Sequence, residues 1–86
     1  MTFDIEYSTQ SFKFLKNVDN TLRKRLLRKI ENLRIEPFPS DTKSVEGFKA
    51  KLFRVRVGNQ RILYIVRYNP NKLLIVKVDK RPRVYQ

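Results

Sequence analysis

The sequence predicts an α+β domain: an N-terminal β-strand, a two-helix hairpin, then a three-stranded antiparallel meander, with the helices packed on one face of a mostly antiparallel sheet. Three observations predict it. Apolar residues alternate in the stretch TFDIEY at positions 2–7 and again from Leu52 onward, the period of half-buried strands. Between these stretches Leu22, Leu26, Leu27, Ile30 and Leu33 recur at helical spacing. Two turn signals, Gly58-Asn59 and Asn69-Pro70-Asn71, then cut the C-terminal half into three strands. A chain of 86 residues has room for one core, so the expected organisation is a single domain over 1–86.

The first strand places Phe3, Ile5 and Tyr7 on one side. Ser8 or Thr9 then caps a short helix whose body is Gln10 to Lys16 and whose apolar stripe is Phe12, Leu15 and Phe14. Asp19-Asn20 breaks it, and a longer helix runs from about Asn20 to Arg34, with Arg23, Lys24, Arg25, Arg28 and Lys29 between its apolar positions. Pro37 and Pro39 end the helical part, and Glu36 to Ala50 reads as a long irregular, basic segment.

The stretch LFRVRVGNQRILY, Leu52 to Tyr64, carries the most information. With a two-residue loop at Gly58-Asn59, Val55 faces Ile62 and Phe53 faces Tyr64, which makes one side apolar. The same register puts Arg54, Arg56, Arg61 and Leu63 on the other side, with Arg56 opposite Arg61. Like charges facing each other across strands are destabilising, and a period of two lets neither move without flipping its strand. Such a face is either the solvated side of a basic protein or the seat of an anion. A three-residue loop at Asn69-Pro70-Asn71 continues the pattern: Ile62, Tyr64 and Val66 face Val78, Val76 and Leu74 on the apolar side. Arg61 falls beside Asp79, Leu63 beside Lys77 and Ile65 beside Ile75 on the other, followed by Arg81.

Composition narrows the chemistry. Twenty Lys and Arg against eight Asp and Glu give a formal charge of +12, a field that draws polyanions, nucleic acid first and acidic proteins next. Histidine and cysteine are absent, which removes thiol chemistry, disulfides, nucleophilic triads and the usual metal ligands. Two glycines, Gly47 and Gly58, make no phosphate-binding loop. No metal and no cofactor is therefore expected. The N-terminal MTFDIEYST lacks the blocks of a signal peptide and no apolar run has spanning length, so a cytoplasmic protein without a membrane partner is expected. What remains is Arg, Lys and Tyr. These suit phosphodiester cleavage in which an RNA 2′-hydroxyl is the nucleophile and the protein positions the backbone, neutralises charge and moves protons.

The whole chain resembles the RelE branch of the RelE/ParE toxin superfamily. The resemblance is carried by the element order, the segment VEGFKAKLFRVRVGNQRILYIV and the ending KVDKRPRVYQ. It implies a RelE-like fold and a type II toxin–antitoxin toxin: a ribosome-dependent endoribonuclease, or mRNA interferase, that cuts mRNA in the A site. It also implies an acidic RelB-like antitoxin that forms a heteromeric complex with the toxin. By motif, Arg61 looks like the phosphate-stabilising arginine, Arg81 like the second arginine after the last strand, and Tyr85 like the C-terminal tyrosine. Arg54 and Arg56 fall at two basic positions where the best-known pattern has lysines. Arginine scarcely deprotonates, so the proton acceptor is Lys49, Lys51 or Tyr85, or charge stabilisation acts alone. Arg61, Arg81, Tyr85 and Arg56 are thus the expected catalytic residues, and Arg54, Lys49, Lys51, Lys77 and Arg83 the expected phosphate-binding ones. Two other readings fit the same features: a ParE-like toxin acting on DNA gyrase, and a non-catalytic RNA- or ribosome-binding module.

Overall fold

The computed structural model describes residues 2–46 and 51–80. They form β1 (Asp4–Tyr7), α1 (Thr9–Asn17), α2 (Asn20–Ile35), β2 (Lys43–Val45), β3 (Leu52–Val57), β4 (Gln60–Arg67) and β5 (Lys72–Lys80). The strands make one sheet in the order β1-β5-β4-β3-β2. β1 runs parallel to β5 and every other pair is antiparallel. This is the expected α+β arrangement of two helices on a mostly antiparallel sheet, enlarged by one strand.

The helix ends follow from local chemistry. Ser8 caps α1, its Oγ accepting from Ser11 N at 3.1 Å. The far end of α1 is closed from outside by Arg23, whose Nε donates to Leu15 O at 2.8 Å and whose Nη2 donates to Lys16 O and Val18 O at 2.9 and 2.8 Å. One guanidinium thus satisfies carbonyls that a helix end leaves without partners. Asp19 caps α2, and Pro37 disfavours helical backbone at the residue before it, so α2 ends at Ile35.

The core is a single layer between helices and sheet. Leu15, Leu26, Ile30 and Leu33 pack on Val55, Ile62, Tyr64, Leu73, Ile75 and Val78. Tyr64 is wholly buried. Its hydroxyl donates to Pro37 O at 2.6 Å and pairs with Thr42 Oγ1 at 3.1 Å, tying the connection after α2 to the sheet. Burial raises its pKa.

Three expectations need correction. Phe12, assigned to the apolar stripe of α1, is 60% exposed, because the buried stripe runs through Ser11 and Leu15 instead. The segment read as irregular contains β2, whose Lys43, Ser44 and Val45 pair with Arg54, Phe53 and Leu52. Three residues are too few for a periodic signal, and pairing with β3 is what makes them a strand. The β3–β4 register is as expected, and so is β4–β5 as far as Leu63 beside Lys77. A bulge between Leu63 and Tyr64 then shifts the rest: Tyr64 faces Ile75 rather than Val76, Ile65 faces Leu74 and Val66 faces Leu73. The connection becomes the four residues 68–71. The bulged stretch reads Leu73-Leu74-Ile75-Val76, an unbroken apolar run with no alternation to show which residues turn inward.

The N-terminus of α1 supports that bulge. Where β1 ends, Ser8 N donates to Ile75 O at 2.9 Å and Ser8 Oγ donates to Val76 O at 2.6 Å. Gln10 then acts as a substitute strand, donating to Val78 O at 2.8 Å and accepting from Val78 N at 3.0 Å. Side chains thereby replace the ladder that β1 no longer supplies. Among the described residues no helix is long and apolar enough to cross a membrane.

Candidate functional site

Alternation along β3, β4 and β5 sends one set of residues into the core and the other to the face away from the helices' buried stripes. Arg54, Arg56, Arg61, Leu63 and Lys77 occupy that second face, as their pairings require: Arg56 with Arg61, Arg54 with Leu63, Leu63 with Lys77. Lys43 joins them from β2, opposite Arg54. Leu52 and Leu63 are buried there without joining the core cluster, so the face has an aliphatic portion beside its cations.

Arg61 is the most constrained of these groups. Its Nε donates to Asp79 Oδ1 at 2.7 Å and its Nη2 to Asp79 Oδ2 at 3.1 Å, a bidentate fork. The Asp79 hydrogen bond raises the Arg61 pKa against the opposing effect of burial, so the guanidinium stays charged throughout any physiological range. Asp79 also lies 3.7 Å from Lys77 Nζ. One carboxylate therefore steers two cations, and among the described residues no acceptor takes the Nη1 of Arg61. The carboxylate on Arg61 eases its like-charge repulsion with Arg56 across the strands. The face can hold an anion with several oxygens, and phosphate fits the arginine forks bidentately.

Of the sequence-predicted residues, the structure gathers Arg54, Arg56, Arg61 and Lys77 on one face. Lys51 stands apart: it is exposed just before β3 and out of phase with Arg54 and Arg56. Lys49, Arg81, Arg83 and Tyr85 lie outside the described residues. Sequence reasoning missed the role of Asp41, which holds Lys29 at 3.0 Å, and the approach of Arg25 to Gly58. The spacing of Arg25, Arg28 and Lys29 along one helical stripe was the available signal.

No protein-family model matches the chain. The provisionally assigned toxin RelE1 of Methanocaldococcus jannaschii is 27% identical over 88 aligned positions, covering 100% of this chain and 98% of that protein. Among solved structures, the RelE of the archaeal RelE–RelB complex from Pyrococcus horikoshii superposes with a TM-score of 0.83 at 28% identity, covering 98% of this chain and 100% of that one. The isolated E. coli RelE toxin shares the fold, with a TM-score of 0.80 at 17% identity over 95% of this chain and 87% of that one. The class is thus a RelE fold, two helices on a mixed five-stranded sheet. Sequence likeness and fold together support a RelE-family toxin.

Proposed function

We propose that this protein is the toxin of a type II toxin–antitoxin pair and a ribosome-dependent endoribonuclease that cleaves mRNA in the A site. The observation that supports it best is the Arg61 fork, fixed by Asp79 on a face that also carries Arg54, Arg56 and Lys77. In the proposed step the 2′-oxygen of a nucleotide forms a bond to the adjacent phosphorus while the bond from phosphorus to the 5′-oxygen breaks. The 2′-hydroxyl proton passes to a base, a proton is delivered to the departing 5′-oxygen, and a 2′,3′-cyclic phosphate remains. Charge builds on the phosphoryl oxygens in the transition state, where preoriented cations act most strongly. Arg61 and Arg56 stabilise that charge, with Arg81 from the segment after β5; Arg54, Lys77, Lys49, Lys51 and Arg83 hold the flanking backbone. Since arginine cannot serve as the base, Lys49, Lys51 or Tyr85 takes the proton. No metal or cofactor enters the step.

The P. horikoshii RelE was solved with RelB, as was the toxin of the RelBE2 complex of Mycobacterium tuberculosis. For this chain we infer an acidic RelB-like antitoxin that covers cationic surface, complementary to the charge of +12. A toxin of this kind acts in the cytoplasm, where ribosomes are.

The test is purified protein added to ribosomes translating a defined message. Cuts at A-site codons, ending in 2′,3′-cyclic phosphates, are expected. Stalled ribosomes on unbroken message would leave the non-catalytic module, and inhibition of gyrase supercoiling without message cleavage would leave the ParE-like activity. In the same assay Tyr85→Phe slows cleavage if the hydroxyl moves protons, and leaves it unchanged if the ring only stacks.

A further inference from the structure

We propose that the notch between the cationic stripe of α2 and the tip of the β3–β4 hairpin is a second phosphate-backbone site, which takes a segment of structured RNA other than the cleaved strand. The inference rests on the ribonuclease reading for the identity of its ligand, not for the existence of the site.

The notch is a cavity of ≈ 310 Å³ lined by Arg25, Arg28, Lys29, Asn32, Arg56 and Gly58, together with Val57. Its position follows from how α2 is rotated. Leu26, Ile30 and Leu33 fix one stripe of the helix in the core, and the i, i+3, i+4 spacing of Arg25, Arg28 and Lys29 forms a second stripe beside it. That second stripe lies beside the end of β3, which β2 does not reach: β2 pairs with Leu52 to Arg54 and not with Val55 to Val57.

Among the described residues, the lining of the notch has four cations and no carboxylate. Lys29 is held by Asp41 at 3.0 Å, whereas Arg25 and Arg28 have no acidic partner among the described residues. Like charges at such helical spacings destabilise the free chain, and an anion between them removes that cost. Gly58 completes the wall. Its φ of 57° suits the turn, and a Cβ there would lie 3.4 and 3.5 Å from the two terminal nitrogens of Arg25. The guanidinium of Arg25 thus lies within van der Waals range of the hairpin tip. Arg56 belongs both to the face that carries Arg61 and to the lining of the notch, so positive potential continues around the tip.

The composition of the lining selects the ligand. Protein interfaces depend on apolar or aromatic anchors in pockets, and among the described lining residues Val57 is the one apolar side chain. An apolar groove lies elsewhere, at Tyr7, Phe12, Leu15 and Leu27. Nucleic-acid interfaces are polar and strongly positive, which is the character of the notch.

The experiment measures binding of the full chain to a 20-base-pair RNA duplex across a salt series. Each phosphate contact contributes about 0.7–0.9 to the slope of log K against log salt. Arg25→Ala/Arg28→Ala should therefore weaken binding several-fold and flatten the slope by about 1.5, while thermal unfolding stays as in the wild type. The charge-matched control Lys13→Ala/Lys24→Ala, outside the notch, should leave the slope near its wild-type value. A double variant that behaves like the control overturns the site. So does one that loses affinity for a poly-glutamate probe while keeping the duplex slope, since that would assign the notch to an acidic protein. Message cleavage with an unchanged slope sinks the notch alone; a flattened slope without message cleavage sinks the nuclease reading alone.

Discussion

The two faces of strands β3 to β5 are built from alternate residues of the same segments, yet they answer to different physics. On the helix side Val55, Ile62, Tyr64, Leu73, Ile75 and Val78 are all completely buried, and close packing sets what is tolerated. On the other side Arg54, Arg56, Arg61 and Lys77 share a face, with Asp79 holding Arg61 and lying near Lys77, and electrostatics sets the task. With the helices packed on one side, folding and ligand recognition fall on alternating residues of the same strands. Substitutions should separate accordingly: the inner set governs stability, and the outer set governs anion handling with little effect on folding.

The largest expected effect is on the inner face. Ile62→Ala removes a fully buried side chain at the centre of the core and should lower stability by about 2–5 kcal/mol. In a domain of this size that is a fall in the unfolding midpoint of roughly 10 °C or more. A loss below about 1 kcal/mol in urea unfolding would show that this face is not close-packed. The outer face gives the opposite pattern. Arg61→Ala should cut ribosome-dependent cleavage by about 10²-fold or more, the cost of removing one preoriented donor. Folding stability should move by only about 0–1 kcal/mol, because the Arg61–Asp79 pair is partly solvated and Lys77 remains beside the carboxylate. An Arg61→Ala chain that fails to fold would erase the distinction between the faces.

How far this division was legible in the sequence depends on whether a residue sits in an alternating stretch. Phe53 to Tyr64 alternates cleanly around Gly58-Asn59, and the pairings Val55–Ile62, Arg56–Arg61 and Arg61–Asp79 follow from it. The run from Leu73 to Val76 does not alternate, so the bulge that turns Ile75 inward left no mark. β2 was hidden because its three residues become a strand only through β3. Arg23 looked like one more solvated helix cation, since the carbonyls it caps belong to the preceding helix. At the candidate site, Arg54, Arg56, Arg61 and Lys77 were placed by register alone. Arg81, Arg83, Tyr85 and Lys49 lie outside the described residues and rest on the sequence motif.

The hairpin tip is where the two faces meet, and it should be sensitive to backbone conformation more than to either chemistry. Gly58 has φ 57°, a region that costs an ordinary residue roughly 1–2 kcal/mol. Gly58→Ala should therefore cost about 1 kcal/mol in urea unfolding, and the new methyl group also meets the Arg25 guanidinium at 3.4 Å. Gly58→Asn should recover part of that loss, because asparagine tolerates left-handed backbone. Equal losses for the two variants would show that the left-handed φ is not the source of the cost.

The smallest effect belongs to the far edge, where β1 meets β5 and neither face is involved. Lys72 Nζ donates to Glu6 at 2.6 Å, and this hydrogen bond lowers the Glu6 pKa and raises that of Lys72. A carboxyl whose pKa is lower in the folded chain adds stability above its ordinary titration range and loses it as pH falls through the folded value. The raised lysine adds stability below its ordinary range and loses it as pH climbs through its folded value. Both groups are solvent-exposed, so the contribution is slight and screened by salt. At low ionic strength the wild type should lose unfolding temperature more steeply than Lys72→Met between pH 5 and 3, a window of about the ordinary carboxylate range. The difference should close at about 0.5 M salt, where exposed charges are largely screened. Parallel curves at low salt would mean that the parallel β1–β5 pairing is held by its backbone ladder alone.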